Sequence, residues 1–313
     1  MPTATKSKWF YYPTESAPVP VADLGKLKCV YLADRRAHRD PTIVWGTTFD
    51  AQPMADFVAA ESRRCNVMYS PAHLLISAVA RTLAEHPGLN RKVIGRRVYQ
   101  YKEINIVIPL LTPVDKQVNP VFIRGVEDMS LRDIATHLWN EARNRGVQAA
   151  EERKRDALRT PWQRFWVQTW RTLTLHGVLR FTGLGFAAHN QTRRRNVPAN
   201  DTFNGVSALV NFLSFPSGAP SMVSFKPSSL PMNAASLTVT MAAPEWRPAV
   251  VGGQVVAQKV APLFIKADHR LVHAHEIAAF MNTLCGYMTQ PGRLTATEPQ
   301  TNAVAPAPLS KAA

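Results

Sequence analysis

The chain has 313 residues, 46% of them hydrophobic, which is enough for a substantial core in one domain of roughly 250 residues with tails, or in two smaller ones. Its formal net charge of +15 predicts attraction to something acidic: nucleic acid, an anionic membrane face, a phosphorylated cofactor or an acidic carrier protein. Cys29, Cys65 and Cys285 stand far apart without CxxC spacing, which argues against a disulfide framework or a cysteine metal site, and no stretch has the length of a secretory signal or of a membrane span. The default expectation is a cytoplasmic protein.

Residues 1–25 carry Pro2, Pro13, Pro18 and Pro20 among polar residues and read as an extended N-terminal arm. Thr42 to Phe49 is β-branched and aromatic, as a strand would be. Ser70-Pro71 opens a helix, with serine as N-cap, proline at the first position, and Leu74, Leu75, Ala78, Val79 and Leu83 at helical spacing. His86-Pro87-Gly88 stops it. Val98 to Tyr101 and Ile104 to Leu111 read as strands, the second apolar enough for burial on both faces. Val121-Phe122-Ile123 continues the pattern, and a helix from Ser130 to about Arg145 starts with Asp133 placed for a capping box.

From Glu151 to about Pro198 the composition changes. Arg153-Lys154-Arg155 leads into Trp162, Phe165, Trp166, Trp170 and Leu173 at helical intervals, with Arg164, Arg171 and Arg180 interspersed and Arg193-Arg194-Arg195 beyond. That pattern suits a helix with an aromatic stripe and a basic face. The stripe packs on its own domain or a neighbouring subunit, lies on a partner or membrane surface, or stacks on nucleic-acid bases; no recognisable nucleic-acid motif accompanies it.

Beyond Asn200 strands dominate: Val206 to Phe215, Ser221 to Phe225, Ser236 to Met241, and Val255 to Ile265 after a Gly252-Gly253 hairpin turn. A strand ending at Ile265 then meets a helix from Glu276 to Tyr287 across Asp268-His269-Arg270. A histidine at such a junction projects from rigid backbone, where a general base is useful. His269, His273, His275 and Glu276 include an i, i+4 histidine pair that could also ligate a metal if helical, although His269 falls ahead of the helix and no remote ligand cluster accompanies it. The Ala/Pro/Thr-rich residues 291–313 read as a disordered tail.

Asp268-His269-Arg270 followed by Glu276 and Phe280 resembles the DHRxxDGAxxAxF signature of the acyltransferase components of 2-oxoacid dehydrogenase complexes, a family that shares its fold with chloramphenicol acetyltransferase. His86 to Asn90 (HPGLN), the strand around Asn105 to Pro109, and Thr112-Pro113 are similar to the family's helix end, strand and turn, so the resemblance covers most of residues 40–290 outside the basic Trp-rich insertion at 151–198. It implies a chloramphenicol-acetyltransferase-like α/β fold over residues 26–290, a mixed sheet flanked by helices, and a homotrimer or larger cage. It also implies acyl transfer from a coenzyme A or carrier-protein thioester, with acyl-coenzyme A as substrate and no bound metal. No lipoylation motif or subunit-binding domain precedes the first matched strand, which suggests a stand-alone enzyme.

By this resemblance His269 is the base, and Ser228 or Ser229 in Phe225-Lys226-Pro227-Ser228-Ser229 supplies the oxyanion donor, with Ser224 as the fallback. Asp268, Arg270 and His273 support the base. The family's Asp-Gly is replaced by His273-Ala274. A histidine there is expected to cap the following helix less well than aspartate, and alanine denies the loop a residue tolerant of positive φ. The same fold without turnover would be a scaffolding trimer that binds a partner or membrane surface through the insertion.

Overall fold

The computed structural model describes residues 16–20, 42–94, 97–112, 117–167, 169–170, 173, 206–213 and 236–295. In chain order these form strands β1 (Ser16–Pro18) and β2 (Thr42–Asp50), helices α1 (Gln52–Cys65) and α2 (Pro71–Glu85), then strands β3 (Arg91–Ile94), β4 (Arg97–Tyr101), β5 (Ile106–Thr112) and β6 (Gln117–Ile123). Helix α3 (Leu131–Leu158) and a further helical stretch over residues 161–167, here α4, lead toward β7 (Ala208–Leu213) and β8 (Leu237–Ala242). The hairpin β9 (Glu245–Val251) and β10 (Gln254–Asp268), helix α5 (Ala274–Thr289) and the short α6 (Gly292–Thr295) complete the chain.

A seven-stranded mixed sheet runs in the order β2-β10-β8-β7-β5-β6, with β9 paired to the outer part of β10. Strands β5, β7 and β8 are parallel to one another, and β10 is antiparallel to β2, β8 and β9. A separate three-stranded sheet takes the order β1-β4-β3. Helices α1, α2, α3 and α5 cover the large sheet, and the core lies between them: Leu74, Leu75, Ile76, Leu83, Ile106, Val210, Val239, Leu263, Ile265 and Phe280 are all buried in one cluster. This is the mixed sheet flanked by helices that the resemblance implies.

Strand β10 is the hub. Val260 to Asp268 pairs with β2 along one side and Leu263 to Ala267 pairs with β8 along the other. Its buried half ends at Asp268, while Gln254 to Lys259 forms with β9 a hairpin arm beyond the sheet, turned by Gly252 (φ 58°) and Gly253 (φ 83°). Those two positive angles match the tight two-residue turn that favours glycine. Trp246-Arg247-Pro248 lies within β9; proline is tolerated because β9 is an outer strand.

The central helix α2 begins as its composition requires. Ser70 and His73 form a reciprocal cap, with the Ser70 N–H donating to His73 Nδ1 at 3.0 Å, and Pro71 takes the first turn. The stop at His86 is also stabilised across the core: the His86 ring meets Phe280 edge-on at 5.9 Å and its Nε2 lies 2.9 Å from Thr283 Oγ1. Strand β2 is an edge strand with Val44 and Trp45 exposed, whereas Ile106, Val107 and Ile108 at the start of β5 are buried in succession, as their unbroken apolar run predicts.

Several boundaries differ from the sequence reading: α1 and β3 carry no expectation there, β10 runs on to Asp268, and α5 starts at Ala274. Helix α3 continues through Leu158, well past the expected end near Arg145, so residues 151–158 belong to it. Past Pro291, α6 adds an ordered turn whose Leu294 is buried and whose Arg293 sits 4.8 Å over the Tyr287 ring; residues 296–313 lie outside the described part. Most of residues 1–25 does too, but β1 is an extended segment paired with β4.

Burial holds the His73 imidazole below its ordinary pKa, and its Nδ1 must be unprotonated to accept the cap hydrogen bond. The unfolded chain therefore binds more protons near pH 6.5, so stability falls as pH drops through that value toward the lowered folded pKa. Urea unfolding at successive pH values should show this slope, and His73→Gln, which keeps an acceptor but cannot titrate, should flatten it.

Candidate active site

The site is assembled where β10 meets α5. Asp268 is the last residue of the strand, anchored by its N–H donating to Ser236 O at 3.0 Å. The chain then turns tightly, with Leu271 N–H donating to Asp268 O at 2.9 Å, and Leu271 and Val272 are buried beneath the turn. This apolar underside fixes the backbone on which His269 and Arg270, both half-buried, are mounted.

His269 is oriented by its own loop. Its Nδ1 lies 2.9 Å from the Val272 carbonyl oxygen. A carbonyl only accepts, so Nδ1 carries the proton and Nε2 of the neutral ring is left with a lone pair. That tautomer is the one a general base acting through Nε2 requires.

Asp268 braces the turn. Its Oδ1 accepts from the Arg270 N–H at 3.0 Å and from Nε at 2.9 Å, and its Oδ2 accepts from Arg270 Nη2 at 2.6 Å. The ion pair thus closes a ring over the residue between them, which is His269. On the neighbouring sheet Lys92 feels the same carboxylate: desolvation pushes its ammonium down to about 8, opposed by attraction to Asp268. Lys92 has no sequence signal, because its proximity to Asp268 arises only when β3 is folded against the loop.

His273 is the N-cap of α5, with φ −97° and ψ 165°. Contrary to the expectation of a poorer cap, the capping box is complete: the His273 ring accepts from the Glu276 N–H, and the Glu276 carboxylate accepts the His273 N–H at 2.6 Å. Ala274 is the first residue of the helix and needs no positive φ, so the loss of glycine costs nothing there. The chain reaches the helix through His273 in an extended conformation that an L-residue adopts freely.

The histidines do not form the helical i, i+4 pair, since His269 lies before the helix. Its ring is 6.3 Å from that of His273 and nearly perpendicular to it, and His273 stacks on His275 at 5.9 Å. Among the described residues there is no grouping of three or more His, Cys, Asp or Glu side chains suited to a metal ion. Ser228, Ser229 and the fallback Ser224 lie outside the described residues.

A small cleft lies against this loop, lined by Leu89, Ser236, Leu237, Ala267, Asp268, Leu271 and Val272. Around it the sheet is more polar than the sequence pattern suggested. Thr238, Thr240 and Lys266 are buried on the central strands, and Asn211 Nδ2 donates to Thr240 Oγ1 at 3.2 Å. Strand alternation places Thr238, Thr240 and Lys266 on the same face as Asp268.

The fold is of the kind seen in acyltransferase catalytic domains. Residues 219–296, which include the histidine loop, match the family described as 2-oxoacid dehydrogenases acyltransferase (catalytic domain). The fold is similar to that of the Azotobacter vinelandii dihydrolipoamide acetyltransferase (E2p), with TM-score 0.56 and 16% identity, covering 94% of this chain and 99% of that one. It is also similar to the cubic core of a pyruvate dehydrogenase multienzyme complex (TM-score 0.55, 16% identity, 94% and 99% covered). A probable dihydrolipoamide acetyltransferase from Listeria monocytogenes gives TM-score 0.54 and 14% identity, with 87% and 94% covered. No curated protein sequence matched the chain.

Replacing His273 with Ala should cost about 1 kcal/mol through loss of the side-chain cap, whereas His273→Asp or His273→Asn should retain most of it. Chemical denaturation of the three variants checks this ranking.

Proposed function

We propose that the protein moves an acyl group from a coenzyme A or carrier-protein thioester to a nucleophilic acceptor, with His269 as general base. The observation that supports this reading most directly is the His269 Nδ1 contact to Val272 O, which presents Nε2 as the basic nitrogen. An acceptor hydroxyl, thiol or amine would give its proton to Nε2 as it attacks the thioester carbonyl. The resulting oxyanion needs a donor, the role proposed for Ser228 or Ser229. Collapse then expels the thiolate, which takes up the proton held by His269.

The A. vinelandii acetyltransferase was studied for the roles of a serine, a histidine and an asparagine in its catalytic mechanism, the last two four residues apart. His269 and His273 have that spacing. A side chain able to accept a hydrogen bond thus stands four residues beyond a histidine in both chains, which supports reading His273 as part of the same loop. Asp268 and Arg270 would hold the base in place without touching the reacting atoms.

An assembly of three protomers, or a cage built from trimers, is part of the same proposal. One similar structure is a cubic core. The hairpin arm leaves Trp246, Val250, Val251 and Val255 exposed on an outer pair of strands, an apolar surface of the kind that subunit contacts cover. The excess of positive charge suits the phosphates of coenzyme A or an acidic carrier.

Incubation with a panel of acyl-coenzyme A and acyl-carrier thioesters, reading free thiol release, tests the assignment. His269→Ala should reduce release by about 10²–10⁴-fold, while unfolding temperature and sedimentation coefficient stay unchanged. Undiminished release in that variant would remove His269 from the mechanism.

A further inference from the structure

The aromatic stripe that the sequence singles out is not absorbed by the fold. Trp162, Phe165, Trp166, Trp170 and Leu173 are exposed by 68%, 58%, 54%, 67% and 62%. The first three pack on one another instead of on the domain: Trp162 stacks on Phe165 at 5.9 Å, Trp166 meets Trp162 edge-on at 6.0 Å, and Phe165 meets Trp166 at 6.2 Å. This contradicts the reading in which the stripe packs on its own domain.

The helix that carries them is firmly started. Thr160 and Gln163 form a reciprocal cap, the Thr160 N–H donating to Gln163 Oε1 at 3.0 Å and the Gln163 N–H to Thr160 Oγ1 at 3.3 Å, with Pro161 between them. Arg164 Nε and Nη2 donate to the Arg159 and Ala157 carbonyls at 3.1 Å, which fixes α4 to the end of α3. The five stripe residues are each helical, and their spacing i, i+3, i+4, i+8, i+11 places them on one face of a helix.

Charge identifies what such a face meets. No Asp or Glu occurs between Asp156 and Asp201, whereas Arg159, Arg164, Arg171, Arg180 and Arg193-Arg194-Arg195 do. Lys154 and Arg155 are exposed just ahead of the bend. Tryptophan and phenylalanine seat well at the boundary between headgroups and acyl chains, and an unrelieved run of arginines is drawn to anionic headgroups. Among the described residues no helix is long and apolar enough to cross a bilayer, so this one would lie on the surface. A protein partner would have to supply a large apolar groove ringed by carboxylates, a more particular requirement than the charge pattern imposes.

We propose that α4 and its continuation to Leu173 dock this protein on an anionic membrane surface, with Trp162, Phe165, Trp166, Trp170 and Leu173 in the interface and the flanking basic residues attracted to the headgroups. The site is independent of the His269 chemistry, and docking would bring the catalytic domain beside acceptors or products held in the bilayer.

The test is co-sedimentation of the full chain with phosphatidylcholine vesicles and with vesicles containing about one-third phosphatidylglycerol. Expected are preferential binding to the anionic vesicles, weakening as salt is raised several-fold, and a blue shift of tryptophan emission on binding. The exposed-face variant Trp162→Gln/Phe165→Gln/Trp166→Gln should bind at least about tenfold more weakly with its circular dichroism and unfolding temperature unchanged. His269→Ala should bind as the parent does, which separates this proposal from the catalytic one. Absence of vesicle binding, equal binding to neutral and anionic vesicles, or undiminished binding by the triple variant would each overturn it. So would a triple variant that changes the sedimenting mass of a protein that ignores vesicles, since the face would then be a contact between protein chains.

Discussion

The pairing of β10 on both sides is the constraint from which the site follows. A strand held by β2 and β8 along its last residues cannot shift register by one without turning Leu263, Ile265 and Ala267 out of the core and Phe264 and Lys266 into it. The position of Asp268 is therefore set by the whole sheet, and the turn that follows has little freedom. From that fixed end, a two-residue ion pair braces the turn and a ring-to-carbonyl contact orients the imidazole. Preorganisation of this kind is what a base needs, since a ring that must first choose its tautomer spends part of its advantage on ordering.

Helix α5 completes the arrangement from the other side. Its capping box satisfies N–H groups at the helix start, and Ile277, Phe280, Met281 and Leu284 bury its inner face against α2 and the sheet. His273-Ala274, where the resembled signature has Asp-Gly, still closes the start of the helix. An acceptor for a backbone N–H is required at the N-cap, and a neutral imidazole supplies one as a carboxylate would. The adjacent position needs only ordinary helical geometry in this chain, so alanine serves.

The charge of the protein is unevenly employed. Around His269, Asp268 pairs with Arg270 and attracts Lys92, whereas the segment from Arg159 to Arg195 carries arginine unrelieved by carboxylate.

Local patterns determined a good deal of this structure. Ser70-Pro71, the buried run from Ile106 to Ile108, Gly252-Gly253 and the strand-to-helix junction at His269 are legible because each is a short-range requirement of backbone geometry or burial that only a few residue types meet. The family match spans the same junction. Other features are long-range. Which strands neighbour β10, the approach of Lys92 to Asp268, and the polar row of Thr238, Thr240 and Lys266 depend on elements distant in the chain meeting in space. The sequence marked residues 162–173 as an amphipathic stripe, but an apolar stripe reads the same whether it is covered or bare. Only the packed structure decided that this one faces outward, since exposure is a property of what surrounds a helix and is not written in its own residues.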